Sequence, residues 1–413
     1  MLSVEEALRL VVEHAQPLAA RRVGRSNALG RVLAEDVASD IDSPPFDRST
    51  VEGYALRAAD LTGGVAELRV LEEVVAGALP MMPVEPGAAT RVMTGAPIPA
   101  GADAVVMIER SQLVARGDSA ERVRIDEPRC SIGQNIARRA SAMRVGQIVI
   151  ARGQSLRSVE IGLLAEVGRD DVMVVPSPQV SVVATGNELV DPAVKPNLGQ
   201  IRNSNGSMLA AAAAECGAHV LPPQTAHDDR DTLRHILGPA LEAADVLVVS
   251  GGVSVGVLDL VPATLESLGV EQVFHKVRAK PGKPVWFGVH RSETRTRLVF
   301  GLPGNPLSSF VGFQLFVRPA IRRLQGRSDL QLQETTAKLE IAFTNRGDRE
   351  TYVPSRMGVD QHGATIRPVG STGSGDLASM ARADALMRLP GGTRTYEAGS
   401  SAAVLLLPAG IGS

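Results

Sequence analysis

Three glycine-rich stretches hold the residues best placed to do chemistry. They are Ala184-Thr185-Gly186-Asn187-Glu188-Leu189, Ser250-Gly251-Gly252-Val253-Ser254-Val255-Gly256 running on to Asp259, and Gly301-Leu302-Pro303-Gly304-Asn305-Pro306-Leu307-Ser308. Each follows an apolar run of strand length and precedes a helix-like pattern. Glycine lets main chain approach a ligand closely, and a helix N-terminus offers free N–H groups to an anion. One such stretch alone is an ordinary tight turn. Three of them beyond the carboxyl ends of strands in one open sheet would line a crevice for a phosphate and a bicyclic ring, with Glu188 and Asp259 among them.

Two further groups of charge belong with these turns. Asp228-Asp229 reads either as a carboxylate pair for a hard divalent cation or as a helix N-cap with an acidic first turn. Lys276, Lys280 and Lys283 fall in the segment His275–Pro284, and strand alternation would place Lys276, Arg278 and Lys280 on one face. That face is either solvated or a landing surface for phosphate. His275 reads as structural, since no nucleophile is spaced to use it. The chain shows no Walker loop, no Ser-His-Asp order and no HExxH, which argues against kinase, hydrolase and dinucleotide chemistry.

The elements that must position these residues follow from hydropathy patterning. Ser3-Val4-Glu5-Glu6 is a capping box opening an amphipathic helix with Leu8, Val11 and Val12 on its apolar stripe. Residues 36–50 are rich in Pro and Asp and break regular structure. From about 65 to 150, β-branched runs alternate with Gly and Pro turns, as in a small, mostly β domain. From about 173 to 327, apolar strands (Val172–Val175, Val180–Ala184, Asp245–Val249, Leu298–Phe300) alternate with helices. One of these helices is capped by Ser204 or Asn205 and closed by Gly217, and a long one runs from Leu307 to about Leu324. That alternation predicts a mostly parallel sheet with helices on both faces. Beyond about 327, short strands and Gly-rich turns predict a small barrel or sandwich.

Composition narrows the classes. The 413 residues are 44% hydrophobic, 21% charged and 3% aromatic, with a net charge of −2. That length allows about two to four domains. Basic residues are scattered, so no nucleic-acid partner is expected. No apolar run approaches the ~18 residues of a membrane helix, so no membrane partner is expected. No signal-peptide pattern opens the chain, and a reducing cytoplasm is the expected location. The two cysteines, Cys130 and Cys216, lack metal-site spacing and read as small buried hydrophobes.

Taken together, these stretches resemble the molybdopterin molybdenumtransferases, the MoeA and gephyrin E-domain family. Residues 185–189 resemble its STGDEL turn, 250–256 match its SGGVSVG turn, 279–284 resemble its KPGKP segment and 302–306 its LPGNP turn. Residues 45–55 resemble PPFDxSxMDGYA, 93–106 resemble MTGAPxPxGADAVV, and 373–383 resemble its GSG and SMARA segments. The resemblance runs from about residue 3 to 390.

The resemblance implies an elongated homodimer of multidomain chains. An α/β domain like that of the molybdopterin adenylyltransferases would comprise residues 1–24 and 174–327. A linking domain would take 25–44 and 141–173, a mostly β domain 45–140, and a C-terminal β domain 328–413. The implied reaction inserts molybdate into adenylylated molybdopterin with release of AMP, assisted by Mg²⁺. A molybdopterin adenylyltransferase would act upstream. Glu188, Asp228 and Asp259 would be the acidic cation and substrate ligands. Lys276 and Lys280 would meet anionic substrate groups, Gly252 and Ser254 would donate to phosphate, and Pro303 and Pro306 would shape the crevice. Glu52 and Thr94 would reach the cleft from the partner subunit, while Arg349 and Ser374 would supply its C-terminal wall.

The sequence departs from the family pattern in places. Glu52 stands where Asp is usual, and Asn187 replaces the Asp of the first turn. Residues 135–142 read NIARRASA against NIRxxGED, leaving Ala142 where an acid is expected. Val257 also replaces an acid. These departures leave a carrier that holds molybdopterin with weak or no insertion as an alternative; insertion of tungstate is another, because the two oxyanions are nearly the same size and charge.

Overall fold

The computed structural model describes residues 1–115, 121–253, 260–293, 295–361, 363–370 and 372–408. The chain divides into two compact units. One comprises Met1–Glu35, Gly153–Arg157 and Asp171–Ser413, the other Asp36–Arg152 and Ser158–Asp170. No described helix is long and apolar enough to cross a membrane.

The first unit is built on a seven-stranded sheet. Its strands are β1 (Gln179–Thr185), β2 (His219–Val220), β3 (Gln224–Ala226), β4 (Val246–Ser250), β5 (Val270–His275), β6 (Trp286–Arg291) and β7 (Thr296–Leu302), in the order β2-β1-β4-β7-β6-β5, with β3 also on β1. Only β6 runs against its neighbours, so the sheet is mostly parallel. Its helices are α1 (Val4–His14), α2 (Ser204–Glu215), α3 (Arg230–Ala243), α4 (Leu260–Ser267), α5 (Pro306–Gly312) and α6 (Arg318–Leu324).

Period-two alternation explains the three layers. Val180, Val182, Val246, Val248, Leu298 and Phe300 face the core shared with α1, α2, α5 and α6. Val183, Leu247, Val249 and Val299 face the other core, against α3 and α4. Strands apolar on both faces need cover on both, which is why the apolar runs read as parallel-sheet strands. The capping box of α1 forms as expected, while its buried stripe is Val4, Ala7 and Val11. The helix expected from Leu307 to Leu324 is present as α5 and α6 joined by a π-helical turn at Phe313–Val317.

Asp245 pins the amino ends of the three central strands. Its N–H donates to Gln179 O and its carboxylate accepts from Gln179 N at 2.8 Å, while its carbonyl accepts from Leu298 N. Arg295 closes the clamp on Asp245 Oδ1 at 2.7 Å. The strand at Asp171–Val175 does not enter this sheet. It pairs antiparallel with Arg21–Gly24 and Val32–Leu33 in a separate three-stranded sheet.

The C-terminal region closes into a barrel. Its strands are β8 (Glu334–Leu339), β9 (Glu350–Asp360), β10 (Gly363–Pro368), β11 (Ala385–Leu389) and β12 (Ser401–Leu406). β9 pairs with both β10 and β11, so the ring β9-β10-β8-β12-β11 returns on itself. The second unit carries a six-stranded sheet formed by Gly53–Leu56, Val65–Val74, Ala88–Val92, Ala104–Met107, Ser111–Ala115 and Arg122–Asp126. Cys216 is buried as expected, whereas Cys130 is only half-buried; burial pushes both thiols above their ordinary range.

One helix start differs from the sequence reading. Asn203, not Ser204 or Asn205, caps α2: its Oδ1 accepts from Gly206 N at 2.8 Å and its Nδ2 donates to Thr225 Oγ1 at 2.9 Å. The cap needs non-helical main chain, and here the chain turns helical at Ser204. Asn203→Ala should therefore destabilise the protein by about 1–2 kcal/mol, because it removes a buried cap. Chemical denaturation measures this, and an unchanged midpoint would show that the cap contributes nothing.

Candidate functional site

The three glycine turns meet because three strands end in register. Ala184 pairs with Ser250, and Ser250 pairs with Leu302. Their following residues therefore emerge side by side at the carboxyl edge of β1, β4 and β7. Gly251 N donates to Leu302 O at 3.0 Å, stitching the second turn to the third. A Cβ at Gly251 would lie 2.4 Å from Thr185 O, so only glycine permits the second turn to lie this close to the first.

Between them lies a crevice of about 370 Å³ counting its open mouth, lined by Thr185, Glu188, Asn203, Asn205, Ser250 and Pro306 among others. Glu188 is exposed at its rim, and its carboxylate folds back over Gly186, where a Cβ would lie 2.7 Å from Oε2. Main chain holds Glu188 in place through Ile201 N, which donates to Glu188 O. The first turn leads not into a helix but into a short ladder, Leu189–Val190 beside Ile201–Arg202, and α2 begins only afterwards. Under the third turn, Pro303 is buried and its carbonyl accepts from Ser309 Oγ at 2.6 Å. Pro306 opens α5 and faces the crevice. Gly252 holds a left-handed conformation (φ 63°) beside Val261.

Asp228 lies near the first turn, its N–H donating to Asn187 Oδ1 at 3.0 Å. Asp229 has the other role foreseen for the pair: it caps α3, accepting from Thr232 N at 2.9 Å, and these bonds hold its carboxyl below the ordinary range. Ser254 and Asp259 lie outside the described residues.

The basic segment is not one strand face. β5 ends at His275, and Lys276 turns left-handed (φ 76°), so the alternation that would align Lys276, Arg278 and Lys280 breaks there. Ala279–Lys280 instead pairs with Glu350–Thr351 at the start of β9. Lys280 Nζ donates to Arg346 O at 2.8 Å, and Arg349 donates to Ala279 O at 2.9 Å. Lys280 and Arg349 thus fasten the barrel to the α/β domain. Ser374 is bound to the third turn: its Oγ accepts from Asn305 Nδ2 and its carbonyl from Leu307 N. His275 Nε2 lies 3.0 Å from Val253 O, a structural tie.

In the second unit, Gly53 pairs with Val92, so Glu52 and Thr94 lie on loops leaving the same end of one strand pair. Both are exposed. Ala142 is exposed on a loop tied down by Arg138–Asp47 and Arg139–Asp42 ion pairs. A larger cavity, about 960 Å³ with its open mouth likewise counted, lies where α1 and the π turn face the barrel, but none of the three glycine turns lines it.

Comparison with known proteins decides the family. Residues 2–168 match the model of the MoeA N-terminal region (domains I and II), 181–323 that of a probable molybdopterin binding domain, and 336–407 that of the MoeA C-terminal region (domain IV). The chain is 34% identical to the molybdopterin molybdenumtransferase of Staphylococcus aureus, over 98% of this chain and 95% of that protein. The chain belongs to the molybdopterin molybdenumtransferase family. The Staphylococcus epidermidis relative is 32% identical over the same shares. Among solved structures, the molybdopterin biosynthesis MoeA protein of Pyrococcus horikoshii OT3 superposes with a TM-score of 0.81 at 29% identity, covering 98% of this chain and all of that one.

One departure from the family pattern has a conformational consequence. Ala140, where the family motif has Gly, holds a left-handed conformation (φ 60°). A Cβ in that region costs roughly 1–2 kcal/mol. Ala140→Gly relieves the strain and loosens the unfolded chain, so the net expectation is about 1 kcal/mol of added stability. Thermal denaturation tests it; a lower Tm would mean the methyl is held by packing worth more than the strain.

Proposed function

We propose that this chain inserts molybdenum into molybdopterin, in the biosynthesis of the molybdenum cofactor. The observation that carries the reading is the convergence of the three glycine turns in a chain whose full length matches molybdopterin molybdenumtransferases. We further infer that the substrate is adenylylated molybdopterin, that molybdate is the donor and that AMP leaves.

The residues have complementary tasks in this reading. The turns bring N–H groups and small residues to the substrate, and Pro306 borders its seat. Lys276 offers positive charge toward a dianionic oxyanion. Lys280 and Arg349 act by holding the barrel wall in place, since both are bonded to main chain across that boundary. Glu188 and Asp228 are hard oxygen donors of the kind Mg²⁺ accepts, and Mg²⁺ commonly takes one or two carboxylates and completes its shell with phosphate and water. These two fit that ion and would hold it; when bound, it would offset charge developing on the phosphoanhydride. No protein nucleophile is needed, because water can cleave the anhydride. Glu188, exposed at the rim, would orient that water.

Glu52 and Thr94 are assigned to the cleft of a partner subunit, so the working form is a homodimer. A molybdopterin adenylyltransferase supplies the substrate, in the cytoplasm. Purified protein given adenylylated molybdopterin, Mg²⁺ and molybdate should release AMP in a molybdate-dependent way. Glu188→Gln should slow that release tenfold or more, about 1.4 kcal/mol of transition-state stabilisation, with folding unchanged. Tight binding without AMP release would overturn the insertion reading, and full turnover by the variant would remove Glu188 from it. Light scattering of the active protein should give a dimer; an active monomer would exclude a shared cleft.

A further inference from the structure

Two buried side-chain oxygens lining the crevice have no hydrogen-bond partner among the described residues. Asn205 is 8% exposed and Thr185 5% exposed. Asn205 Nδ2 donates to Gly304 O at 2.7 Å and to Ser250 Oγ at 2.8 Å. A carbonyl only accepts, so the Gly304 contact fixes which end of the amide is the NH₂. Asn205 Oδ1 is therefore the free end, and among the described residues it meets no donor and Thr185 Oγ1 has no partner. The nearby hydroxyls are committed elsewhere: Ser309 Oγ lies 2.6 Å from Pro303 O, and Ser250 Oγ lies 3.2 Å from Ser309 Oγ and 3.3 Å from Pro303 O. A buried acceptor left unmet lowers the stability of a folded protein, and two at one opening point to something that fills it.

We propose that Asn205 Oδ1 and Thr185 Oγ1 read the N–H-bearing edge of a nitrogen heterocycle in the substrate. The inference rests on the molybdopterin reading above and adds the part of the substrate that this crevice takes. Phosphate and molybdate oxygens at neutral pH act chiefly as acceptors, so neither suits Asn205 Oδ1. The crevice between the turns is thus a ring subsite rather than an anion subsite. Thr185 can donate or accept, so it can serve a ring nitrogen or oxygen next to the N–H. Adenylylated molybdopterin holds two rings with such an edge, the pterin amide with its amino group and the adenine amino group. Discrimination at such a site is strong, because a ligand lacking the donor leaves the buried acceptor unpaired.

Thr185→Val keeps the shape and removes only the orphan hydroxyl. In the free protein it should leave Tm unchanged or raise it. Titration calorimetry with molybdopterin and with AMP as separate probes should show about a tenfold loss of affinity for one of them, the size of one hydrogen bond, and which one identifies the ring. Ser309→Ala is the structural control: it breaks the network under the third turn, lowering Tm, and should leave both affinities within about twofold. Unchanged affinity for both probes in Thr185→Val, or a fall in Tm that accompanies the loss, would overturn the assignment. If the wild-type protein binds neither probe, the molybdopterin reading falls and the subsite with it.

Discussion

The register of β1, β4 and β7 is the constraint on which the site depends. A one-residue slip in any of these strands would exchange its two apolar faces and move its glycine turn along the sheet edge. Asp245 guards against that at the amino ends, where one side chain and its main chain bind Gln179, Leu298 and Arg295. At the carboxyl ends the same register places Thr185, Ser250 and Leu302 level, so that Gly251 can bond Leu302 and pass within reach of Thr185. The two helical layers bury both faces of these strands and hold the register once it is set.

The walls of the site depend on that core through fewer bonds. Lys280 and Arg349 each donate to a main-chain carbonyl across the boundary between the α/β domain and the barrel. Asn305 and Leu307 bind Ser374 in the same way. Charged and polar residues that look like substrate ligands in sequence are thus partly spent on positioning. Lys276 is different: it adopts a left-handed conformation without glycine, a cost typical of functional loops.

Much of this was legible in sequence because it rests on residue type and spacing. The capping box at Ser3, the doubly buried strands, the turns and the C-terminal barrel follow from local patterns. The rest depends on backbone conformation or distant partners. Asn203, Ser204 and Asn205 are all plausible caps, and only the point where the chain turns helical selects Asn203. The expected Lys276–Lys280 face fails because one residue with positive φ resets the alternation. Asn205 gave no sequence signal for its role, since its free oxygen is defined by Gly304, 99 residues away. Asp228 and Asp229 divide between two roles that local sequence could not apportion.

The central claim is that the three turns form one binding surface rather than three separate loops. Amide hydrogen exchange, with and without molybdopterin, tests it most directly. Ligand should slow exchange together at residues 185–188, 250–253 and 304–307, with the amino ends of the same strands unaffected. Protection confined to one turn, or appearing instead around the cavity between α1 and the barrel, would contradict it.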